Sequence, residues 1–201
     1  MKISVSFTLW LLLGSVYASE GVEIKPASPP DINAALREIT ASLAQLKADM
    51  MLLQRETTVR QVAFSASLVA GVEPGESVTT GPFPSFTTLI FKHVPTNIGN
   101  AYNSTTGVFT APVRGAYHFE WWVAAFGDNG AHASGAALVK NSENIFTAWE
   151  QRKEYLGTAS NGVTLLLEVG DVVSVSLWAD TVAFDNANHH TTFSGHLLFP
   201  M

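Results

Sequence analysis

The stretch Gly115-Ala-Tyr-His-Phe-Glu-Trp121 decides the fold of this 201-residue chain. Aromatic side chains occupy every second position, so in an extended backbone they share one face. A period of two with aromatics on one face is typical of a β-strand that packs on a core. We predict a strand at 115–126 with a buried face (Tyr117, Phe119, Trp121, Val123) and an outer face (His118, Glu120, Trp122, Ala124).

Strand-like runs continue on both sides of this stretch, from residue 62 onward. Turn residues such as Gly81-Pro82 and Gly170-Asp171 separate them, and no helical period intervenes. This pattern predicts an all-β sandwich or barrel and argues against a parallel α/β sheet. The predicted strands are 62–70, 86–93, 107–110, 115–126, 134–140, 145–150, 163–169, 172–179 and 191–199, and Asn161-Gly162 is predicted to be a turn.

The positions before the opening stretch complete a spaced set: Phe91, Asn97, Tyr102, Phe109 and Gly115. This set resembles the signature of the complement C1q globular-head family, which usually has Phe or Tyr where Trp121 stands. Residues 62–66, 160–171 and the ending 192–200 are also similar to that family. The resemblance implies a ten-stranded jelly-roll sandwich over 62–201, related to the tumour necrosis factor fold, that assembles as a trimer.

The chain departs from the family pattern in ways that show which members of the family it resembles. The chain has no Gly-X-Y repeat, so a collagen stalk is excluded. It resembles the short non-collagenous members, the cerebellin-like and fish C1q-like proteins. Cerebellin-like proteins join their trimers through N-terminal cysteines, whereas this chain has no cysteine, so that higher assembly is not expected.

A heptad pattern predicts an α-helix at 31–60 that forms a short coiled coil. Apolar residues recur at alternating intervals of four and three, and Ser28 followed by prolines predicts a capped helix start. An amphipathic helix packed on its own domain is the alternative, but the narrow stripe keeps a 3.5-residue period and favours the coiled coil. Leu at heptad position a with Ile at d leans towards three or more strands. The predicted trimer seam is Ile32, Leu36, Ile39, Leu43, Leu46, Met50 and Leu53.

The first 18 residues have the pattern of a signal peptide. Lys2 precedes an apolar run, and Val16-Tyr17-Ala18 places small residues at a cleavage site. A membrane anchor is the alternative, but the run is shorter than the roughly 20 residues that span a bilayer. We predict a secreted, extracellular protein with a linker at 19–30 and no membrane insertion.

Composition and motifs exclude several classes of function. The formal net charge is −6 and no Lys/Arg cluster is present, so no nucleic-acid partner is expected. Cysteine nucleophiles, a Gly-x-Ser-x-Gly elbow and a phosphate-binding glycine loop are all missing from the sequence. Asp180 and Asp185 could pair as catalytic acids, but acids in loops are usually solvated. We predict no enzyme and no cofactor.

The sequence offers two candidate metal sites, and neither is predicted to bind an ion. His189 and His190, near Asp185 and His196, could bind zinc from a loop, although neighbours on a strand face opposite ways. Several members of the family that this chain resembles bind calcium. The resemblance implies that an Asp or Gln at about the position of Gly157 would supply an oxygen ligand. That oxygen ligand is missing here, and Glu154 or main-chain carbonyls would have to replace it.

Binding is expected in the loops, because a rigid sandwich with variable connections is a recognition scaffold. The richest loops are predicted at 127–133, 150–161 and 180–190. Asn103-Ser-Thr105 is a sequon in a turn-like stretch, so glycosylation of Asn103 is expected. The candidate ligand-binding residues are Asp180, Asp185, Asn186, Asn188, His189 and His190.

These observations predict a protein that acts by non-covalent binding. A trimer presents three copies of one weak site and gains avidity without new contacts. One hypothesis is innate immune recognition of microbial glycan or lipid surfaces. The alternative is an extracellular signalling ligand that binds a cell-surface receptor, as cerebellin-like proteins and the cytokine relatives do.

Overall fold

The computed structural model describes residues 31–59 and 61–201. They form one helix, α1 (Ile32–Val59), followed by thirteen strands, of which three have only two or three residues. The predicted signal peptide and the linker lie outside the described residues. The strands are β1 (Ala63–Ser67), β2 (Ser77–Thr80), β3 (Thr87–Thr88), β4 (His93–Ile98), β5 (Tyr102–Asn103), β6 (Val108–Thr110), β7 (Gly115–Phe126), β8 (Ser134–Lys140), β9 (Glu143–Glu150), β10 (Leu156–Leu167), β11 (Val172–Leu177), β12 (Ala183–Asn186) and β13 (Thr192–Pro200).

The predicted helix is confirmed, and its start is capped by Asp31. The Asn33 backbone N–H donates to Asp31 Oδ1 at 3.0 Å, which satisfies one of the free N–H groups of the first turn. We expected the cap at Ser28, which lies outside the described residues. All seven seam side chains point to solvent, with exposed fractions between 53 and 77 %.

The strands form two antiparallel sheets, and the predicted all-β jelly-roll sandwich is confirmed. The first sheet has the order β2-β12-β7-β13-β1-β4, with β10 paired to β7. The second has the order β5-β6-β11-β8-β9, with β3 paired to β11. The long strand β7 pairs with both β10 and β13, so it organises the first sheet.

The opening stretch has the predicted alternation. Tyr117, Phe119, Trp121 and Val123 are fully buried in the core. Trp121 Nε1–H donates to the Ala136 carbonyl at 3.2 Å, so its polar atom is satisfied inside the sandwich. Outer-face Ala124 is the exception, because it is fully buried where β12 pairs beside it.

Asn97 and Tyr102, the polar residues of the signature, form hydrogen bonds with backbone groups. Asn97 Nδ2–H donates to the Tyr102 carbonyl at 2.8 Å, and the Tyr102 N–H donates to Asn97 Oδ1 at 3.2 Å. The Tyr102 hydroxyl donates to the Phe91 carbonyl at 3.0 Å and accepts from the Phe91 N–H. Burial raises the pKa of Tyr102 to about 12. The signature is therefore a packing and hydrogen-bonding unit.

Gly195 lies opposite two core aromatics. It pairs with Phe119 on β7 and with Phe64 on β1. A Cβ atom there would overlap the Phe119 ring and lie 2.8 Å from Phe64 Cε1. Only glycine fits between these rings without moving them.

Several local predictions were wrong. Asn161-Gly162 is not a turn but the middle of β10, which begins at Leu156 and pairs along its whole length with β7. The predicted strand 86–93 contains only β3 and the first residue of β4, and most of β4 was not predicted. Pro95 is tolerated in β4 because this strand is at the edge of its sheet. The short strands β2, β5 and β12 were not predicted.

Candidate functional site

Three connections meet at one end of the sandwich, and we call them the loop end: residues 127–133, 151–155 and 178–182. The Gly127 N–H donates to the Tyr155 carbonyl at 2.8 Å, and the Asn129 N–H donates to the Lys153 carbonyl at 2.9 Å. The Val182 N–H donates to the Ala133 carbonyl at 3.0 Å. The predicted loop 150–161 is thus shorter than expected, since β10 takes its second half.

Side chains fix the first of these loops further. Asp128 accepts a hydrogen bond from the His132 backbone N–H at 3.0 Å and lies 2.6 Å from His132 Nδ1. These interactions, the backbone bond first, lower the pKa of Asp128. Gln151 Nε2–H donates to the Gly130 carbonyl at 2.9 Å. The loop is held before any ligand arrives, which lowers the entropy cost of binding.

The structure corrects the assignment of Asp185 to a ligand-binding loop. Residues 183–186 are strand β12, and Asp185 is completely buried. Its carboxylate accepts hydrogen bonds from the backbone N–H groups of Val69 (3.2 Å), His190 (2.7 Å) and Thr191 (3.3 Å). A buried carboxylate satisfied in this way holds three segments together. It is not available to a ligand.

The other candidates in 180–190 divide into exposed and engaged residues. Asp180 and Asn188 are exposed. Asn186 Oδ1 accepts from the Asn188 N–H at 2.8 Å and closes the turn after β12. His189 Nδ1 lies 2.7 Å from Ser67 Oγ, and the ring stacks on His93 with centroids 4.3 Å apart. His190 is half-buried near Phe184.

The four residues considered for zinc are not brought together. His189 contacts Ser67 and His93, and His190 lies near Phe184. Asp185 accepts hydrogen bonds from three backbone N–H groups. His196 is on β13 beside His118, with ring centroids 5.8 Å apart. Over 31–59 and 61–201, no group of three or more His, Asp or Glu side chains could hold a metal ion.

The space beside Gly157 is filled by an ion pair. A Cβ at Gly157 would overlap the Arg152 and Glu150 side chains. Arg152 Nε–H donates to Glu150 Oε1 at 2.6 Å. One carboxylate that is already paired with a guanidinium does not fit the several free oxygen ligands that calcium prefers. The guanidinium of Arg152, whose side chain is 47 % exposed, therefore lies where the family resemblance would put a calcium ligand.

We expect calcium to leave the thermal midpoint of the native chain unchanged, and removal by a chelator to have no effect. In a Gly157→Asp/Arg152→Ala double variant the new carboxylate lies beside Glu150 without the guanidinium. Calcium should then stabilise the fold by about 1.4 kcal/mol at roughly tenfold above its Kd. Arg152→Ala alone is the control and should not respond. A calcium-dependent midpoint in the native chain would contradict this assignment.

The predicted glycosylation site, Asn103, is accessible. Asn103 is exposed, and its Oδ1 accepts hydrogen bonds from the N–H groups of Thr105 (2.8 Å) and Thr106 (3.3 Å). An asparagine in such an exposed turn suits glycosylation, which stays a prediction.

Sequence reasoning missed residues that the structure brings to the loop end. Tyr155 is 78 % exposed and lies in the left-handed region, with φ of 65°. Lys153 and Asp128 lie in the loops that bond to each other there. A lone aromatic in the polar run Lys153-Glu-Tyr155 was the signal that could have identified it. Trp122, by contrast, points outward as predicted and is 38 % exposed.

The family model of the C1q domain matches residues 63–198, which is more than half of the chain. The chain belongs to the C1q domain family. Its C1q domain starts with β1 and ends within β13, so it contains both sheets and all three connections of the loop end. Members of this family are generally binding proteins without catalytic activity.

Solved structures show the same fold at low sequence identity. The globular domain of zebrafish complement 1qA is 19 % identical, with a TM-score of 0.52 over 70 % of this chain and 99 % of that one. Murine APRIL is 12 % identical, with a TM-score of 0.52 over 69 and 99 %. Eiger TNF from S. frugiperda is 10 % identical, with a TM-score of 0.52 over 71 and 95 %. The C1q domain of this chain therefore shares its architecture with the TNF-like proteins.

Proposed function

We propose that this chain is a secreted, homotrimeric C1q-domain protein of innate immunity that binds microbial surface glycans or lipids through its loop end. The observation that carries the proposal is the exposed seam of α1. An apolar heptad stripe in water is stabilised when other helices cover it. Leu36 and Leu43 at position a, with Ile32 and Ile39 at position d, favour three or more strands over two, and the mixed d positions make this preference modest.

A trimer raises the apparent affinity of a site that binds weakly by itself. Three loop ends on one axis raise the effective concentration of the second and third sites once the first has bound. Microbial surfaces repeat the same polar group at short intervals, so they suit this form of binding. The exposed loop-end side chains of Asp180, Lys153 and Tyr155 combine charge, hydrogen bonding and an aromatic face.

The proposed extracellular location agrees with two features of the chain. The pattern of the first 18 residues is that of an export signal. Asn103 is exposed, as glycosylation of a secreted chain requires. Among the described residues, no helix is long and apolar enough to cross a membrane.

The test is agglutination of bacteria by the purified trimer. A triple variant, Asp180→Gly/Lys153→Ala/Tyr155→Gly, removes loop-end side chains, and glycine keeps the positive φ of Asp180 and Tyr155. We expect agglutination to fall at least tenfold, because avidity multiplies the loss at each site. Ser142→Gly, also an exposed residue with positive φ, is the matched control in the turn between β8 and β9 and should agglutinate normally.

Two results would contradict the proposal. If Ser142→Gly loses as much activity as the triple variant, the loop end is not the binding site. If the trimer binds saturably to host cells and not to bacteria or their glycans, the protein is a receptor-binding signalling ligand. A glycan array run beside a receptor pull-down distinguishes these two cases.

A further inference from the structure

A cavity of about 430 Å³ opens between β2 of the first sheet and β3 of the second. β2 pairs with β12 and β3 pairs with β11. Within the described strands no ladder joins β2 to β3, so the sandwich stays open along this side. We call this opening the side cleft, and Leu68, Val72, Val78, Phe83, Ile90 and Lys92 define it.

The walls of the side cleft are apolar and continuous with the core. Leu68 is buried in the core, and Val72 and Phe83 pack against it. Val78 and Ile90 at the opening are 39 and 36 % exposed. A hydrocarbon chain in the cleft would remove this exposed apolar surface from water, and the volume lies in the range of small-molecule sites.

Lys92 is the one charged residue that lines the cleft. It forms no ion pair with any residue that the structure describes. Two of the lining hydroxyls are already engaged: Thr87 Oγ1–H donates to the Ser85 carbonyl at 2.8 Å, and Thr88 Oγ1 lies 3.2 Å from Ser176 Oγ. Because Lys92 forms no such ion pair, its ammonium group is available for an anion next to the apolar wall of the cleft.

We propose that the side cleft binds a single-chain carboxylate amphiphile of the fatty-acid type. The hydrocarbon chain occupies the apolar space, and the carboxylate pairs with the Lys92 ammonium. A cationic head group is repelled by Lys92, and an uncharged one leaves the ammonium without its partner. The side cleft is separate from the loop end, so this activity does not depend on microbial recognition.

The binding test uses a fluorescent anion and three competitors with the same chain. The anion is 1-anilinonaphthalene-8-sulfonate, whose emission rises in apolar surroundings. Decanoate, decanol and decyltrimethylammonium compete for it at concentrations below micelle formation. Decanoate should displace the probe about tenfold more strongly than decanol, which is the effect of one charge-assisted hydrogen bond. Decyltrimethylammonium should displace it least.

Two variants assign the binding to the side cleft. Lys92→Gln should weaken decanoate about tenfold and leave decanol unchanged. Val78→Trp fills the opening from an exposed position and should weaken both competitors. Lys153→Gln is the control, because it removes a lysine at the loop end, and it should bind decanoate like the native chain.

Other results would overturn the proposal. If decanoate, decanol and decyltrimethylammonium compete equally, or if Lys92→Gln has no effect, then the carboxylate does not pair with Lys92. If the native trimer binds no probe and Val78→Trp dissociates it in light scattering, a neighbouring subunit covers the cleft instead. Agglutination by Lys92→Gln should be normal, so failure here leaves the loop-end proposal intact.

Discussion

Gly195→Ala should destabilise the sandwich by about 1–3 kcal/mol, or more, because it overpacks the core. The new methyl group would overlap the Phe119 ring and approach Phe64. Both aromatics are buried, so neither can move aside into solvent. The measurement is the urea midpoint, with the slope m compared to show that the unfolding transition is of the same kind.

Gly162→Ala is the matched control for this substitution. Gly162 also lies on a strand that pairs with β7, opposite Glu120. A Cβ at Gly162 would have its nearest neighbours at 3.4 Å, which is ordinary contact. The control should therefore unfold within about 0.5 kcal/mol of the native chain, as expected for substitutions outside the core. Equal losses in the two variants would show that the strand backbone, rather than ring packing, requires glycine.

Leu43→Asp should dissociate the proposed trimer. Leu43 is 61 % exposed in the single chain, so the substitution removes little burial from an isolated protomer. In a three-stranded seam it would cost about 2 kcal/mol of apolar burial per chain. For three chains the sum is about 6 kcal/mol, or roughly four orders of magnitude in the association constant. Sedimentation equilibrium over a dilution series measures this change.

Ala41→Asp is the control for the seam. It introduces the same side chain at the heptad position opposite the seam, so the loss of helix propensity is similar. This variant should remain trimeric at every concentration where the native chain does. A native chain that sediments as a monomer would refute the trimer. If both aspartate variants remain trimeric, the C1q domain alone holds the assembly.

Strand β7 was predictable from sequence because one of its faces is buried. It begins and ends at the predicted residues, since alternation fixes the register of a half-buried strand. Strand β8 also has the predicted bounds, although its first five residues are all buried and show no alternation. Asn161-Gly162 misled the prediction because it is a strong local turn signal. In the fold, the twelve-residue pairing of β10 with β7 outweighs that local preference.

The candidate site was harder to predict than the fold. Asp185 was assigned to the surface because acids are rarely buried, and its three amide donors come from two separate segments. Ala133 and Thr181 meet through a bridge that only the complete topology creates. Turn residues show where loops occur, but they do not show which loops meet or which of their side chains remain exposed.

The bonds that join the loop end have a consequence for engineering. They connect main-chain atoms at Asn129 and Lys153. Asn129 has a φ of 62°, which favours Asn, Asp or Gly, whereas Lys153 has no such restriction. Gly127 differs, because a Cβ there would overlap the backbone of Glu154. A combinatorial library could therefore randomise position 153 and keep Gly127 and Asn129 constant. New specificities could then be selected on one unchanged scaffold.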